Sequence, residues 1–289
     1  MPLPGEAATT RKADSLLVGG SPLIRLLASL AALVGVLAAV PQARACASGG
    51  YTYAGLASVA RSHGVGARVT AIGAPVVRGD GHVAGWVGVG GPRQGPHGAD
   101  EWIQVGFSAF PGSYLSSLYY EVMRPGSGAR YVEVERGLAP GASRRLAVLE
   151  MAGRQNWWRV WVDDRPVSRP ILLPGSHGAW RAIATAESWA AGSSACNGFG
   201  YRFDRIVVAQ QAGGGWRPLG GSLPIRSGGY RVLRPAAASL VAISGKLLRP
   251  GALRPVLSAA GPAQPAAPAP VPAPAAAAAP VAAGAPLDP

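Results

Sequence analysis

The sequence predicts an all-β fold of antiparallel strands, a two-sheet sandwich or a barrel, and three observations predict it. Gly (41) and Pro (27) are frequent among the 289 residues and only 14% of residues are charged. That composition excludes a coiled coil and disfavours a helix-rich domain. Short alternating runs rich in Val, Ile, Tyr and Trp are separated by Gly, Pro and Ser, the pattern of strands and turns. No run of helical period longer than two turns survives the glycines. Many short strands at close spacing indicate an antiparallel sandwich or barrel rather than a parallel sheet.

The elements follow in chain order. Tyr51–Val59 opens on two tyrosines at strand period, and Ala67–Ile72 follows a Gly-Val-Gly break. His82–Val89 and Glu101–Ser108 flank a segment rich in Gly and Pro. Ser117–Met123 ends before Pro125-Gly126, and Tyr131–Glu135 ends before Gly137. Arg145–Met151 precedes Gly153. Trp157–Val162 leads into Asp163-Asp164, where Asp tolerates turn conformations, so a hairpin to Val167 is expected. Trp180–Ser188, Tyr201–Ala209 and a weaker Tyr230–Leu233 complete the set. The tryptophans Trp157, Trp158 and Trp161 read as core and sheet surface rather than as a ligand platform.

Both ends fall outside this pattern. Arg11, Lys12 and Arg25 precede the apolar run Leu26 to Val40, and Ala43-Arg44-Ala45 gives a small-residue cleavage site. This is the layout of a secretory signal peptide over residues 1–45; the alternative is a retained N-terminal anchor. From about Arg249 the chain is mostly Ala and Pro, too poor in apolar bulk to offset chain entropy, and residues 236–289 read as a disordered tail or wall-crossing spacer. The β-sandwich domain is therefore expected over residues 46–235, secreted, monomeric, and free of the membrane once the leader is cleaved.

The formal net charge is +13, and residues 46–245 carry 20 Arg against 11 acids, so the positive charge belongs to the domain. Lys is nearly absent (Lys12 and Lys246), and the composition is not that of a nucleic-acid binder. The Gly-rich segment Gly85–Gly91 has neither a following helix nor a Lys, which argues against nucleotide binding. His63, His82, His97 and His177 are scattered, none at ligand spacing with a Cys or carboxylate, so no metal or cofactor is expected. Cys46 and Cys196 either form one disulfide in an oxidising compartment or remain two thiols. Ser193-Ser194 has no His/Asp arrangement at a recognisable motif.

Side chains alternate across a strand. Trp102, Gln104 and Gly106 share one face of their strand, with Ile103, Val105 and Phe107 on the other. Ile183, Thr185, Glu187 and Trp189 oppose Ala182, Ala184 and Ala186. Tyr119 and Glu121 oppose Leu118, Tyr120 and Val122. Three strands thus offer a face that combines Trp or Tyr with a polar residue, suited to a polymer such as a polypeptide or a polysaccharide.

Four motifs follow one another in order: Gly85-Trp86-Val87-Gly88-Val89-Gly90-Gly91, Trp102-Ile103-Gln104-Val105-Gly106, Tyr119-Tyr120-Glu121, and Ala184-Thr185-Ala186-Glu187-Ser188-Trp189. In order and spacing, over roughly residues 50–210, they resemble the glutamic peptidases (eqolisins), secreted acid endopeptidases, and the resemblance implies a two-sheet antiparallel β-sandwich, a concanavalin A-like jelly roll. The resemblance implies that Gln104 and Glu187 are the catalytic pair. It implies further that Tyr119 stands at the place of an active-site tryptophan, Glu121 at the glutamate two residues on, and that Trp86, Trp102, Tyr119, Glu121 and Trp189 contact substrate. The chain departs from the family pattern at three places. Ser108 and Ser117 replace acids, and Trp189 falls one place later than the family's tryptophan.

The chemistry asks for these residue types in its own right. A water attacking an amide needs a base, and a carboxylate accepts its proton. The oxyanion then needs a donor, and a Gln amide N–H supplies one. Such a pair suits acidic media, given an ordinary Glu pKa near ~4.3. The sequence leaves open a non-catalytic module of the same fold that binds cell-wall glycan or peptide, and a purely structural surface protein, because fold does not fix function.

Overall fold

A computed structural model describes residues 50–190, 197–227 and 229–244. All lie in the second of two compact units, Ala43–Pro289. The expected leader, Cys46, Cys196 and residues 245–289 lie outside the described residues. Among the described residues no helix is long and apolar enough to cross a membrane.

In chain order the strands are β1 (Tyr51–Ser62), β2 (Gly64–Ala71), β3 (His82–Gly91), β4 (Glu101–Ala109), β5 (Ser116–Met123), β6 (Arg130–Leu138), β7 (Ser143–Glu150), β8 (Trp157–Val162), β9 (Arg165–Pro166), β10 (Ile171–Leu172), β11 (Trp180–Trp189), β12 (Gly200–Gln211), β13 (Gly214–Pro218), β14 (Ser222–Arg226), β15 (Tyr230–Leu233) and β16 (Leu240–Ser244). Among the described residues a single 3₁₀ turn, Pro96–Gly98, interrupts the series. The strands form two antiparallel sheets, and the fold is a β-sandwich. One sheet runs β14-β1-β11-β3-β4-β5-β6. The other runs β10-β8-β7-β2-β12-β16-β15, with β13 on β12 and β9 on β8.

The core lies between the sheets and is built by alternation. Ile103, Val105 and Phe107 of β4 meet Val65 and Val69 of β2, Val148 of β7 and Phe203 of β12 in one apolar cluster, all at zero exposure. Trp158 belongs to this core. It stacks on Trp180 with ring centroids 6.0 Å apart and donates its indole N–H to Ser176 Oγ at 2.7 Å. Trp157 and Trp161 of the same strand are half-buried on its other side.

Two irregularities keep the alternation in phase. The hairpin turn holds Asp163 and Asp164 at φ +46° and +65°, the left-handed pair that a tight β-hairpin demands. In β12 the register shifts between Asp204 and Val207, where Arg205 adopts φ +52°. This bulge puts one extra residue into the strand, so Phe203, Ile206 and Val208 all reach the core.

Two expectations need correction. The sandwich does not end at residue 235: Leu240–Ser244 is a buried strand paired with β12 and β15. Its five residues adjoin the Ala/Pro-rich tail, so composition absorbs them, yet Leu240 and Ala242 are fully buried between neighbours. The histidines are not scattered in space. His63 Nδ1 lies 2.7 Å from Glu150 Oε2, and His177 Nδ1 lies 2.8 Å from Glu150 Oε1. Three separate segments deliver these groups, which chain spacing cannot show.

Candidate active site

The outer face of the seven-stranded sheet carries a groove of about 540 Å³. Cross-strand register fixes which residues stand together on it. One row joins Glu187 of β11, Ala84 of β3, Ser108 of β4 and Ser117 of β5. The next joins Thr185, Trp86, Gly106 and Tyr119, and the third joins Ile183, Gly88, Gln104 and Glu121. Gln104 and Glu187 therefore share a face, as the strand phase predicts. They stand two rows and two strands apart, with Trp86 and Tyr119 in the row between.

That middle row binds both of them. Trp86 Nε1 donates to Glu187 Oε2 at 2.9 Å, and Gln104 Nε2 donates to Tyr119 OH at 3.0 Å. Glycine permits the crowding. A Cβ on Gly106 would fall 2.6 Å from Trp86 Cβ, and one on Gly88 would fall 2.8 Å from Gln104 Cβ. No side chain fits at either position while the neighbouring strands keep this approach.

Both polar residues are nearly dry, Gln104 at 7% exposure and Glu187 at 6%. Glu187 is nonetheless satisfied at both oxygens, because His82 Nε2 lies 3.2 Å from Oε1. A buried carboxylate so held keeps lone pairs for a further donor such as water. Glu121 accepts from Trp102 Nε1 at 2.9 Å. Burial raises the Glu121 pKa above the ordinary carboxylate value. The Trp102 bond works against the rise, and the neighbouring Glu187 charge works with it. Tyr119 is pushed well above an ordinary phenol, chiefly by burial.

Of the residues expected to contact substrate, Trp86, Trp102, Tyr119 and Glu121 line the groove. Trp189 stands behind its rim, stacked on Tyr51 with centroids 6.3 Å apart and tilted against His82 at 5.5 Å. Ser108 lines the groove and hydrogen-bonds Tyr131 OH at 2.9 Å, while Ser117 supports Glu133. The sequence reading missed His82, Tyr51, Tyr53, Phe110 and Tyr131, all of which line the groove. His82 carried a usable signal, since it lies four residues before Trp86 and so on the same strand face. Tyr131 packs flat on Tyr119 with centroids 4.9 Å apart. That contact depends on β5–β6 pairing, whose register shifts twice.

No protein-family model matches the chain, and no curated protein matches it. Among solved structures it is similar to SCP-B, a member of the eqolisin family of peptidases in complex with the tripeptide Ala-Ile-His. The identity is 12% and the TM-score 0.43, over 68% of this chain and 98% of that one. It is also similar to a heptameric SAP-like pentraxin from Limulus polyphemus, at 12% identity and TM-score 0.32, over 68% and 92% of the two chains. A third similar structure is LamAcat from Zobellia galactanivorans, at 11% identity and TM-score 0.28, over 63% and 62%. At these identities and scores none of them assigns a family, a substrate or an activity to this chain.

Proposed function

We propose that the chain is a secreted acid endopeptidase of glutamic type, with Glu187 as general base and Gln104 as oxyanion donor. The observation that supports it most is their placement on one groove floor, each tied to an aromatic residue of the row between them. In this reading a water on the groove floor gives its proton to Glu187 as its oxygen attacks the amide carbon. The amide N–H of Gln104 that Tyr119 does not engage receives the developing oxyanion. Collapse of the tetrahedral species expels the amine, which takes the proton back from Glu187. Trp86 and His82 fix the carboxylate, so it does not reorganise during the step. The aromatic walls then seat the flanking substrate residues.

A second reading has its own support. Tyr51, Tyr53, Phe110 and Tyr131 give the groove an aromatic wall with few charges, which suits a non-catalytic module binding cell-wall glycan or peptide. A fluorogenic peptide library assayed between pH 3 and pH 7 separates the two. The peptidase reading expects cleavage in acid that disappears in Glu187→Gln. Binding of peptide or glycan without cleavage at any pH would leave the module.

A further inference from the structure

We propose that His63, Glu150 and His177 form a zinc-binding site, separate from the groove and sharing no residue with it. Two imidazoles and one carboxylate are a common first-row donor set, and N/O donors of this kind suit Zn²⁺ better than Ca²⁺ or Mg²⁺. Their ligand atoms all lie within 4.8 Å of one another. Both imidazoles point Nδ1 at the same carboxylate, one at each oxygen. Zinc at ~2.0–2.1 Å from each donor needs donor separations of roughly 3.3 Å, so the observed 2.7 and 2.8 Å contacts must open by about half an ångström. Zinc replaces the Nδ1 protons, and each ring then carries its proton on Nε2.

The surroundings hold the three groups from the backbone. Glu150 is fully buried at the end of β7, and its amide donates to His63 O at 2.9 Å. Asn156 N–H donates to Glu150 Oε1 at 2.7 Å, and Asn156 Oδ1 accepts from the His177 amide at 2.9 Å. Such outer contacts orient ligands before a metal arrives. His63 lies in the tight connection between β1 and β2, and its ring passes so near Gly178 that a Cβ there would fall 3.0 Å from His63 Cε1. His177 is 39% exposed and His63 20%, while Glu150 is closed off, so the ion is reached past the imidazoles. Three protein ligands with one open position leave room for a water or an incoming donor. The site would also tie the β1–β2 connection, the end of β7 and the loop before β11 to one point.

The test uses the full chain, stripped of metal with a chelating resin and titrated with zinc chloride by calorimetry, alongside melting curves. The proposal expects one zinc per chain and a rise in Tm, with calcium and magnesium giving neither. His177→Ala alters an exposed loop residue and leaves the core intact; it should weaken zinc binding at least ~100-fold, as should Glu150→Gln. Absence of a zinc signal in the wild type would overturn the proposal, and so would unchanged affinity in His177→Ala. Zinc binding that survives His177→Ala and is lost in His82→Ala would put the ion in the groove and equally overturn it.

Discussion

The two faces of the seven-stranded sheet are built on the same ladder, yet they differ in kind. Inward, β4 presents Ile103, Val105 and Phe107, each at zero exposure in an apolar cluster. Outward, the same strand presents half-buried Trp102 with buried Gln104 and Ser108 to a groove where Glu187 and Tyr119 are also buried. Buried polar groups are costly unless hydrogen-bonded, and each of these groove residues has a partner. The inner face needs volume and apolarity. The outer face needs particular atoms at particular places. Stability is therefore expected to live on one side of the strand and chemistry on the other.

Substitutions on opposite faces of this one strand can break that contrast. Phe107→Ala removes a fully buried ring and should cost about 3–5 kcal/mol in denaturant unfolding; a cost below ~1 kcal/mol would mean the inner face is not the stabilising one. Gln104→Ala, three residues away and facing outward, should lower kcat by about 10²–10³ with little change in KM, because an oxyanion contact forms mainly in the transition state. Its unfolding free energy should shift far less than that of Phe107→Ala.

Glu101 begins the same strand on the inner side. Both of its carboxylate oxygens are buried without a hydrogen-bond partner among the described residues, and burial raises its pKa to about 7. A carboxyl whose folded pKa lies above its unfolded value stabilises fully below the unfolded value. That contribution is lost as pH rises through the folded one. Glu101→Gln should therefore raise stability at pH 8, on the order of 1–2 kcal/mol after discounting for solvent screening, and change little at pH 4. Equal effects at both pH values would place the Glu101 carboxyl in water.

Glu121 sharpens the comparison from the outer side. Its raised pKa has the same sign, so Glu121→Gln should give a smaller gain at neutral pH that fades in acid. Activity should change through the electrostatics around Glu187 rather than disappear, and complete loss would make Glu121 itself a catalytic group.

What the sequence disclosed follows the range of the interactions involved. Period-two alternation in Glu101–Ala109 and Trp180–Trp189 is local, so the placement of Gln104 and Glu187 on one face is legible in the sequence. The separation of two rows between them was not, because it depends on how β3 pairs with both neighbours. Leu240–Ser244 was hidden because a short apolar strand beside an Ala/Pro-rich tail differs little from it in composition. The cluster at Glu150 was hidden most deeply, since His63 and Glu150 are 87 residues apart and His177 a further 27. Only the docking of three connections brings those groups together.

The central claim is that Glu187 removes the proton of the attacking water. Side-by-side turnover of the best acid-cleaved peptide by the wild type and by Glu187→Gln, with the peptide's Kd measured for each, tests it most directly. The account predicts that kcat falls by at least ~10³ while Kd stays within a few-fold, because an amide occupies the same space, keeps its place beside Trp86 and cannot take the proton. Undiminished turnover in Glu187→Gln would contradict it.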